Sequence, residues 1–254
     1  MYDKSLRGYL YYVTFIDDHS RKTWLYLLKK NDEVFEKFKE FRCEVETLTE
    51  RKIKTLRCDN GWEYNSKELI AYCKDEGIKR ELIVPYYPEQ NGVAEINNRT
   101  TKEGVRTMLL DQDLPNFLWG EGTMTVVYVE NRSRHRIINN MKHEEAFTGK
   151  KPSMDHFRIF GSPAYIHVPK DKRKNLDSKS IKGIFVGYSL SSKAYRIFIF
   201  DGIKPTKDRR IFQLILMKKI YPYLKKKNKY NPTTLLQYKR KKKDQVILLK
   251  LFSY

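Results

Sequence analysis

The pattern of apolar and polar positions predicts alternating strands and helices over the first 150 residues. Short runs rich in aromatic and β-branched residues are typical of buried strands, whereas apolar residues that recur every three or four positions indicate the inner face of a helix. The predicted strands are 9–16, 23–28, 53–58 and 78–84, and the predicted helices are 32–48, 67–76, about 93–110 and about 114–132. Because this order mixes a hairpin with strand–helix–strand connections, we expect an α/β fold with a mixed sheet and helices on its faces.

The pattern changes after residue 150. Residues 157–200 contain short aliphatic and aromatic runs separated by Gly, Pro and charged residues, which is typical of a small β-barrel. Beyond Lys204 the runs become irregular and rich in lysine. We therefore predict three parts: an α/β core at 1–150, a small barrel at 151–203, and a basic, disordered tail at 204–254.

Charge adds a candidate partner to this picture. The chain has a formal net charge of +20, and residues 204–254 contain 16 Lys and Arg against Asp208 and Asp244. Such an excess favours polyanions through counterion release and weakens as salt rises. The alternative is that the lysine-rich run is only a solvated tail.

Composition also excludes several classes of protein. No run approaches the roughly 18 apolar residues that a membrane helix needs, so we expect no membrane partner. The first residues lack the apolar region of a signal peptide, and three cysteines are too few for a disulfide scaffold. The sequence therefore predicts a protein of the nucleus or cytoplasm.

Two carboxylates occupy positions from which they could converge. Asp59 follows the strand 53–58, and Glu95 lies in the first turn of the helix after a proline-rich loop, with 35 residues between them. Convergent carboxylates hold Mg²⁺, and a pair of such ions can clamp the two oxygens of a phosphodiester displacement. Taken singly, Asp-Asn-Gly is ordinary turn chemistry and an early helical Glu complements the helix dipole. Asp17 and Asp18 are weaker candidates, because a polar hairpin turn explains them.

The helix that follows Glu95 carries a basic stripe. Arg99, Lys102 and Arg106 are spaced by three and four residues, which places them on one helical face suited to phosphates. A solvated helix face is the alternative interpretation.

Several motifs together resemble a known family. RCDNGWEY and VPYYPEQNGVAE resemble the integrase core of copia-type retrotransposons, and HFRIFGSPAYIHVP and KGIFVGYS resemble the barrel that follows it. The resemblance also includes the hairpin YYVTFIDDHSRKTWLYLLKK and extends over about residues 6–203.

The resemblance implies an RNase H-like core with three catalytic carboxylates, followed by a Src-homology-3-like barrel. It matches Asp59 and Glu95 to the second Asp and the Glu, which would hold Mg²⁺ or Mn²⁺. It also places Tyr86, Gln90 and Asn91 on a loop that contacts the DNA end. The implied activity is 3′-end processing and strand transfer by part of a Pol polyprotein. The implied partners are DNA and further copies of the chain, without a small-molecule substrate.

The departures from the family pattern change the expected activity. In the family, the first catalytic Asp lies on a strand upstream of the segment that resembles residues 1–8, so we expect the first, central strand of the sheet to be missing. Its two neighbours would then lack partners inside the core. Asn97 and Asn98 also replace a basic pair next to the Glu. We therefore expect a truncated, inactive copy.

Two alternatives remain. A nucleic-acid-binding remnant would bind DNA weakly and without catalysis. An RNase H-type nuclease agrees least with the sequence, because the resemblance extends over both the core and the barrel.

Overall fold

The computed structural model describes residues 3–58, 66–82, 92–199, 211–215 and 246–253. The strands are β1 (Tyr11–Asp17), β2 (Thr23–Leu28), β3 (Thr55–Cys58), β4 (Lys79–Leu82), β5 (Pro163–His167), β6 (Ser180–Tyr188), β7 (Ala194–Phe198), β8 (Ile211–Ile215) and β9 (Val246–Ser253). The α-helices are α1 (Val34–Thr49), α2 (Lys67–Asp75), α3 (Gly92–Asp111), α4 (Trp119–Glu130) and α5 (His143–Thr148).

Most of the predicted elements are present, and the fold is the expected mixed α/β core followed by an antiparallel sheet. Ser66 caps α2 as a serine at this position should, because its hydroxyl accepts a hydrogen bond from the Leu69 amide. The helix predicted from residue 114 begins at Trp119, after a 3₁₀ turn over Asn116–Leu118. The short helix α5 has too few turns to show a hydrophobic period, and the sequence did not predict it.

The core sheet has five strands in the order β2-β1-β9-β3-β4. Strands β1 and β2 form the predicted antiparallel hairpin, and β3 and β4 are parallel. Between them lies β9, which is antiparallel to β1 and parallel to β3. The centre of the sheet is therefore formed by the last strand in chain order.

This arrangement corrects the expectation of an empty central position. Strands β1 and β3 both pair with β9, so neither is left open in the core. Six of the eight residues in VILLKLFS are apolar, and the run is extended. Open strand edges pair readily with such a segment. Strands β8 and β9 also differ from the disordered tail predicted for 204–254, whose other residues lie outside the described part. The limits at residues 150 and 203 stay predictions.

Successive residues of β1 belong to two different hydrophobic clusters, one on each face of the sheet. Val13 and Phe15 join the cluster formed with α1 and α2, where Phe15 stacks on Phe41 at 4.4 Å between ring centroids. Tyr12 points to the opposite face and joins a cluster that includes Trp119 of α4. This alternation is the two-residue period of a strand covered by helices on both faces. It places α3 and α4 on the face opposite α1 and α2.

The second sheet is antiparallel in the order β5-β6-β7-β8 and packs against the core through α4. Gly187 of β6 permits this close approach, because a Cβ atom there would lie 2.6 Å from Thr125 Oγ1. The single proton of the Thr125 hydroxyl can be donated to the carbonyl oxygen of Glu121 or of Val186, which lie 2.8 and 3.2 Å from Oγ1. Helix α4 therefore packs against both sheets and connects them.

None of the helices in the described segments is long and apolar enough to cross a membrane.

Candidate carboxylate site and nucleic-acid interface

The structure locates one of the two candidate catalytic carboxylates. Glu95 lies in the first turn of α3 and is exposed. Asp59 follows β3 directly in the sequence, but it lies outside the described residues, as do Tyr86, Gln90 and Asn91. The roles of all these residues stay predictions.

The start of α3 is anchored beside the end of β1. Ala94 is 2% exposed and packs against Ile16, while its neighbour Glu95 faces outward. A carboxylate in a first helical turn is stabilised by the unpaired amide groups and the dipole of the helix. Glu95 is thus held at the surface, close to the edge at which β1 ends.

The predicted basic stripe lies on the same exposed face of α3. Arg99, Lys102 and Arg106 are all exposed, and they follow Glu95 by 4, 7 and 11 positions, which returns to one side of an α-helix. The opposite side is buried through Thr101, Val105 and Leu109. Glu103 lies among the basic residues, is also exposed and reduces the local positive charge.

Asn97 and Asn98 fix α3 onto the sheet. The Tyr12 hydroxyl donates a hydrogen bond to Asn98 Oδ1, and Asn97 Nδ2 donates to Thr23 Oγ1 at 3.0 Å. Sequence comparison with the family marked this pair only as a departure from two basic residues. In the structure the pair sets the orientation of the helix that carries Glu95.

Two glycines set the distance between α3 and α4. A Cβ atom on Gly104 would lie 3.1 Å from Val126, and one on Gly122 would lie 3.2 Å from Val105. These separations are tighter than ordinary van der Waals contact, so larger residues would push the helices apart. The basic stripe lies away from this contact, on the exposed side of α3.

Asp17 and Asp18 have structural roles in the turn between β1 and β2. Asp17 is buried, and its Oδ2 accepts hydrogen bonds from the Ser20 amide at 2.8 Å and the Ser20 hydroxyl at 2.6 Å. Asp18 forms an ion pair with Arg21 at 2.5 Å. The polar hairpin turn explains both residues. Across the part of the chain that the structure describes, no group of three or more His, Cys, Asp or Glu could hold a metal ion.

A cleft between α4 and the second sheet was not predicted from the sequence. It has a volume of about 720 Å³ and is lined in part by Tyr128, Arg132, Arg158, Lys193 and Tyr195. The Arg132 guanidinium lies 3.6 Å from the centre of the Tyr128 ring, and Arg158 lies 5.8 Å from that of Tyr195. A positively charged groove lined by aromatic side chains is a common feature of surfaces that bind single-stranded nucleic acid.

His156 also lines this cleft. Burial lowers the pKa of His156, and the positive charge of Arg132 lowers it further. Its Nε2 lies 2.8 Å from the Tyr128 hydroxyl. A neutral imidazole can accept a hydrogen bond from that hydroxyl, so His156 orients the ring over which Arg132 lies.

A smaller cavity of about 280 Å³ opens on the inner side of α3. It is lined in part by Asn97, Glu130, His135 and His143. Burial raises the pKa of Glu130 to about 7, far above its ordinary value. The pKa of His143 is lowered, first by burial and then by His135, whose ring centre is 5.1 Å away.

Comparison with protein families gives two matches. Residues 1–88 match the integrase core domain, and residues 162–206 match the retroviral polymerase SH3-like domain.

The similar proteins include two plant Pol polyproteins. The retrovirus-related Pol polyprotein from transposon TNT 1-94 of Nicotiana tabacum is 47% identical over 201 residues, which cover 79% of this chain and 15% of that protein. The corresponding polyprotein from transposon RE1 of Arabidopsis thaliana is 33% identical over 188 residues, which cover 74% of this chain and 13% of that protein. The chain thus spans about a seventh of the length of these relatives.

Two solved structures are similar to the chain at low identity. A simian T-cell lymphotropic virus intasome in complex with PP2A regulatory subunit B56 gamma gives a TM-score of 0.47 and 15% identity, covering 80% of this chain and 71% of that one. The HTLV-2 integrase catalytic core domain in complex with magnesium gives a TM-score of 0.41 and 19% identity, covering 53% of this chain and 82% of that one. With TM-scores below 0.5, these likenesses add nothing to the family matches.

Proposed function

The chain belongs to the integrase family of copia-type retrotransposon Pol polyproteins, and on that premise we propose that it is a DNA-binding part of an integration apparatus. The supporting observation is the exposed face of α3. There Glu95 is followed by Arg99, Lys102 and Arg106 on one side of a helix that is anchored to the sheet. Basic side chains on a rigid helix position a nucleic acid through its phosphates, and the carboxylate then lies next to the bound backbone.

The reaction proposed for this site is 3′-end processing followed by strand transfer. Asp59 and Glu95 are the candidate ligands for Mg²⁺ or Mn²⁺, and carboxylate oxygens are the donors that these hard cations prefer. The cation would polarise the phosphoryl group and stabilise charge on the departing oxygen. Arg99, Lys102 and Arg106 would hold the phosphates, while Tyr86, Gln90 and Asn91 would contact the DNA end.

We further propose that this chain, as it folds here, binds DNA without transferring strands. The central strand β9 contains neither Asp nor Glu, so it contributes no carboxylate from the middle of the core sheet. Asp59 and Glu95 would then supply two of the three carboxylates that the family pattern uses, and β9 would not supply the third. The proposed partners are DNA and other copies of the chain, and the proposed place of action is the nucleus or the cytoplasm.

DNA binding is tested by a salt titration of the triple variant Arg99→Ala, Lys102→Ala and Arg106→Ala. Each lost phosphate contact should reduce the magnitude of the slope of log affinity against log salt by about 1. The slope of the triple variant should therefore be smaller in magnitude by about 3. The matched control is Arg51→Ala, Lys52→Ala and Lys74→Ala, which removes the same charge from exposed positions near α1 and α2. Equal losses in both variants would show that only net charge matters and would overturn the proposed interface.

Catalysis is tested with Mn²⁺, a labelled DNA end and the Asp59→Asn and Glu95→Gln variants as controls. We expect no strand transfer by the folded wild-type chain. Transfer that disappears in both controls would mean that another group completes the site, and the proposal of a non-catalytic core would be wrong. Cleavage of an RNA–DNA hybrid that depends on the same two carboxylates would favour the nuclease alternative.

A further inference from the structure

Strand β9 is the central strand of the core sheet although it is the last strand in chain order. Residues 247–253 pair with β1, and residues 246–249 pair with β3. Both edges of β9 are therefore used. Removing it would leave the facing amide and carbonyl groups of β1 and β3 buried without partners, which proteins rarely tolerate.

Two side chains of β9, Ile247 and Leu249, face α1 and α2 and are buried. Ile247 is 0% exposed and Leu249 is 2% exposed, and both belong to the cluster that contains Phe15 and Leu56. In the register of the sheet, Leu249 lies between Phe15 on β1 and Cys58 on β3. The central position therefore selects a segment with aliphatic residues at alternate positions.

Strand β9 is far in sequence from the strands with which it pairs, and in this respect it resembles a peptide ligand tethered to the core. Thirty residues separate it from β8, which belongs to the other sheet, and eleven of them are Lys or Arg. Its strand neighbours, β1 and β3, lie about 190 or more positions earlier in the chain. Pairing of this kind is an intramolecular binding equilibrium whose strength depends on the effective concentration that the connection provides.

We propose that the space between Tyr11–Asp17 and Thr55–Cys58 is a strand-acceptor site and that β9 is its tethered, exchangeable ligand. The ligand class is an extended peptide that runs parallel to β3 and carries aliphatic side chains at two positions separated by one residue. Binding by addition of a strand to backbone edges is an established mode of peptide recognition. This inference concerns the sheet alone and does not depend on the proposed DNA function.

The first test is a pair of aspartate substitutions in the full-length chain. Leu249→Asp places a charge in the buried cluster, and we expect the Tm to fall by about 10 °C or more. Leu176→Asp is the matched control, because Leu176 is 100% exposed, and its Tm should change by no more than about 1 °C. A wild-type Tm for Leu249→Asp would mean that β9 does not complete the core.

The second test adds a synthetic peptide of residues 246–253 to the Leu249→Asp chain. Because the peptide binds only the folded core, the Tm should rise with peptide concentration, and a labelled peptide should bind saturably. The same peptide carrying Ile247→Asp and Leu249→Asp should do neither. The wild-type chain should bind the labelled peptide at least about tenfold more weakly, because its own β9 competes.

If the Leu249→Asp chain does not fold, it is refolded from denaturant with each peptide. A cooperative transition that returns only with the matching peptide supports the strand-acceptor site. Failure of both peptides to restore it means that β9 is a permanent element of the sheet, and the proposal is overturned.

Discussion

Arg196 of β7 donates a hydrogen bond from Nη2 to Oε1 of Glu121 in α4, with 2.5 Å between the two atoms. Glu121 is 4% exposed, and the Arg196 side chain is 12% exposed. The pair therefore joins the second sheet to the core through a desolvated ion pair. Burial raises the pKa of Glu121 above its ordinary value, although the positive charge of Arg196 opposes that shift.

Removing Arg196 should destabilise the protein strongly and in a pH-dependent manner. Arg196→Met leaves the Glu121 carboxylate buried without its cation, which should cost about 3–5 kcal/mol at pH 7.5. At pH 5.5 the cost should be smaller, because the unpaired carboxyl, whose pKa rises further without Arg196, takes up a proton. Urea unfolding at the two pH values measures both effects.

The control for this prediction is the double variant Glu121→Met and Arg196→Met. It replaces both charges with apolar side chains, so its stability should return to within about 1–2 kcal/mol of the wild type. A cost for Arg196→Met that is the same at both pH values, or a double variant as unstable as the single one, would contradict a charge-based explanation.

Gly187→Ala should separate the second sheet from α4. The new Cβ would lie 2.6 Å from Thr125 Oγ1, and the backbone φ of +140° already disfavours a side chain. We expect a loss of about 2–4 kcal/mol in the free energy of unfolding. Gly149→Ala is the comparison, because Gly149 has a φ of +75° but no neighbour within 4 Å of its Cβ position. It should lose only about 1 kcal/mol, and equal losses would mean that the contact is unimportant.

Glu130→Gln should change the pH dependence of stability. The pKa of Glu130 is raised to about 7 by burial, so between about pH 4.5 and 7 the folded state binds more protons than the unfolded state. Proton binding by Glu130 therefore stabilises the folded state. This stabilisation is fully present below the pKa that Glu130 has in the unfolded chain, and it is lost as the pH rises through the pKa that Glu130 has in the folded chain. A shift of this size corresponds to about 3 kcal/mol.

The measurement is a series of thermal unfolding curves from pH 5 to pH 8. As the pH rises, the Tm of Glu130→Gln should fall less than the Tm of the wild type. At pH 8, Glu130→Gln should be the more stable of the two chains. Glu68→Gln, at an exposed position of α2, should leave the curve unchanged. A parallel curve for Glu130→Gln would show that this carboxyl does not titrate in that range.

The cleft beside α4 should contribute to binding of single strands. Arg132→Met and Arg158→Met together remove two cations that lie over Tyr128 and Tyr195. We expect affinity for an oligothymidine to fall and the salt slope to decrease by about 2. Affinity for duplex DNA through α3 should change less, and fluorescence anisotropy with both substrates distinguishes the two surfaces. Equal losses for the two substrates would argue against a separate cleft.

How much of the molecule the sequence predicted depends on the range of the interactions involved. The β1–β2 hairpin and α3 follow from local periods. Those periods also predicted that Arg99, Lys102 and Arg106 share one face of α3, whereas the position of Glu95 on that same side is a finding of the structure. The cleft could not be predicted, because its lining combines Tyr128 and Arg132, in and just after α4, with Lys193 between β6 and β7, which are far apart in sequence. The position of β9 could not be predicted either. The sequence assigned residues 246–253 to a disordered tail, and a short, mostly apolar run does not reveal which strands it will pair with.

The pairing of Tyr12 with Phe252, 240 positions later in the chain, has a consequence for synthesis. Ribosomes add on the order of 5–20 residues per second, so β1 leaves the ribosome on the order of 10–50 s before β9 is made. From the time that each strand is made until β9 follows, the unpaired backbone edges of β1 and β3 are open to other extended segments in the cell. A chaperone that covers strand edges, or a slow rate of initiation that keeps neighbouring nascent chains apart, should therefore raise the yield of folded protein.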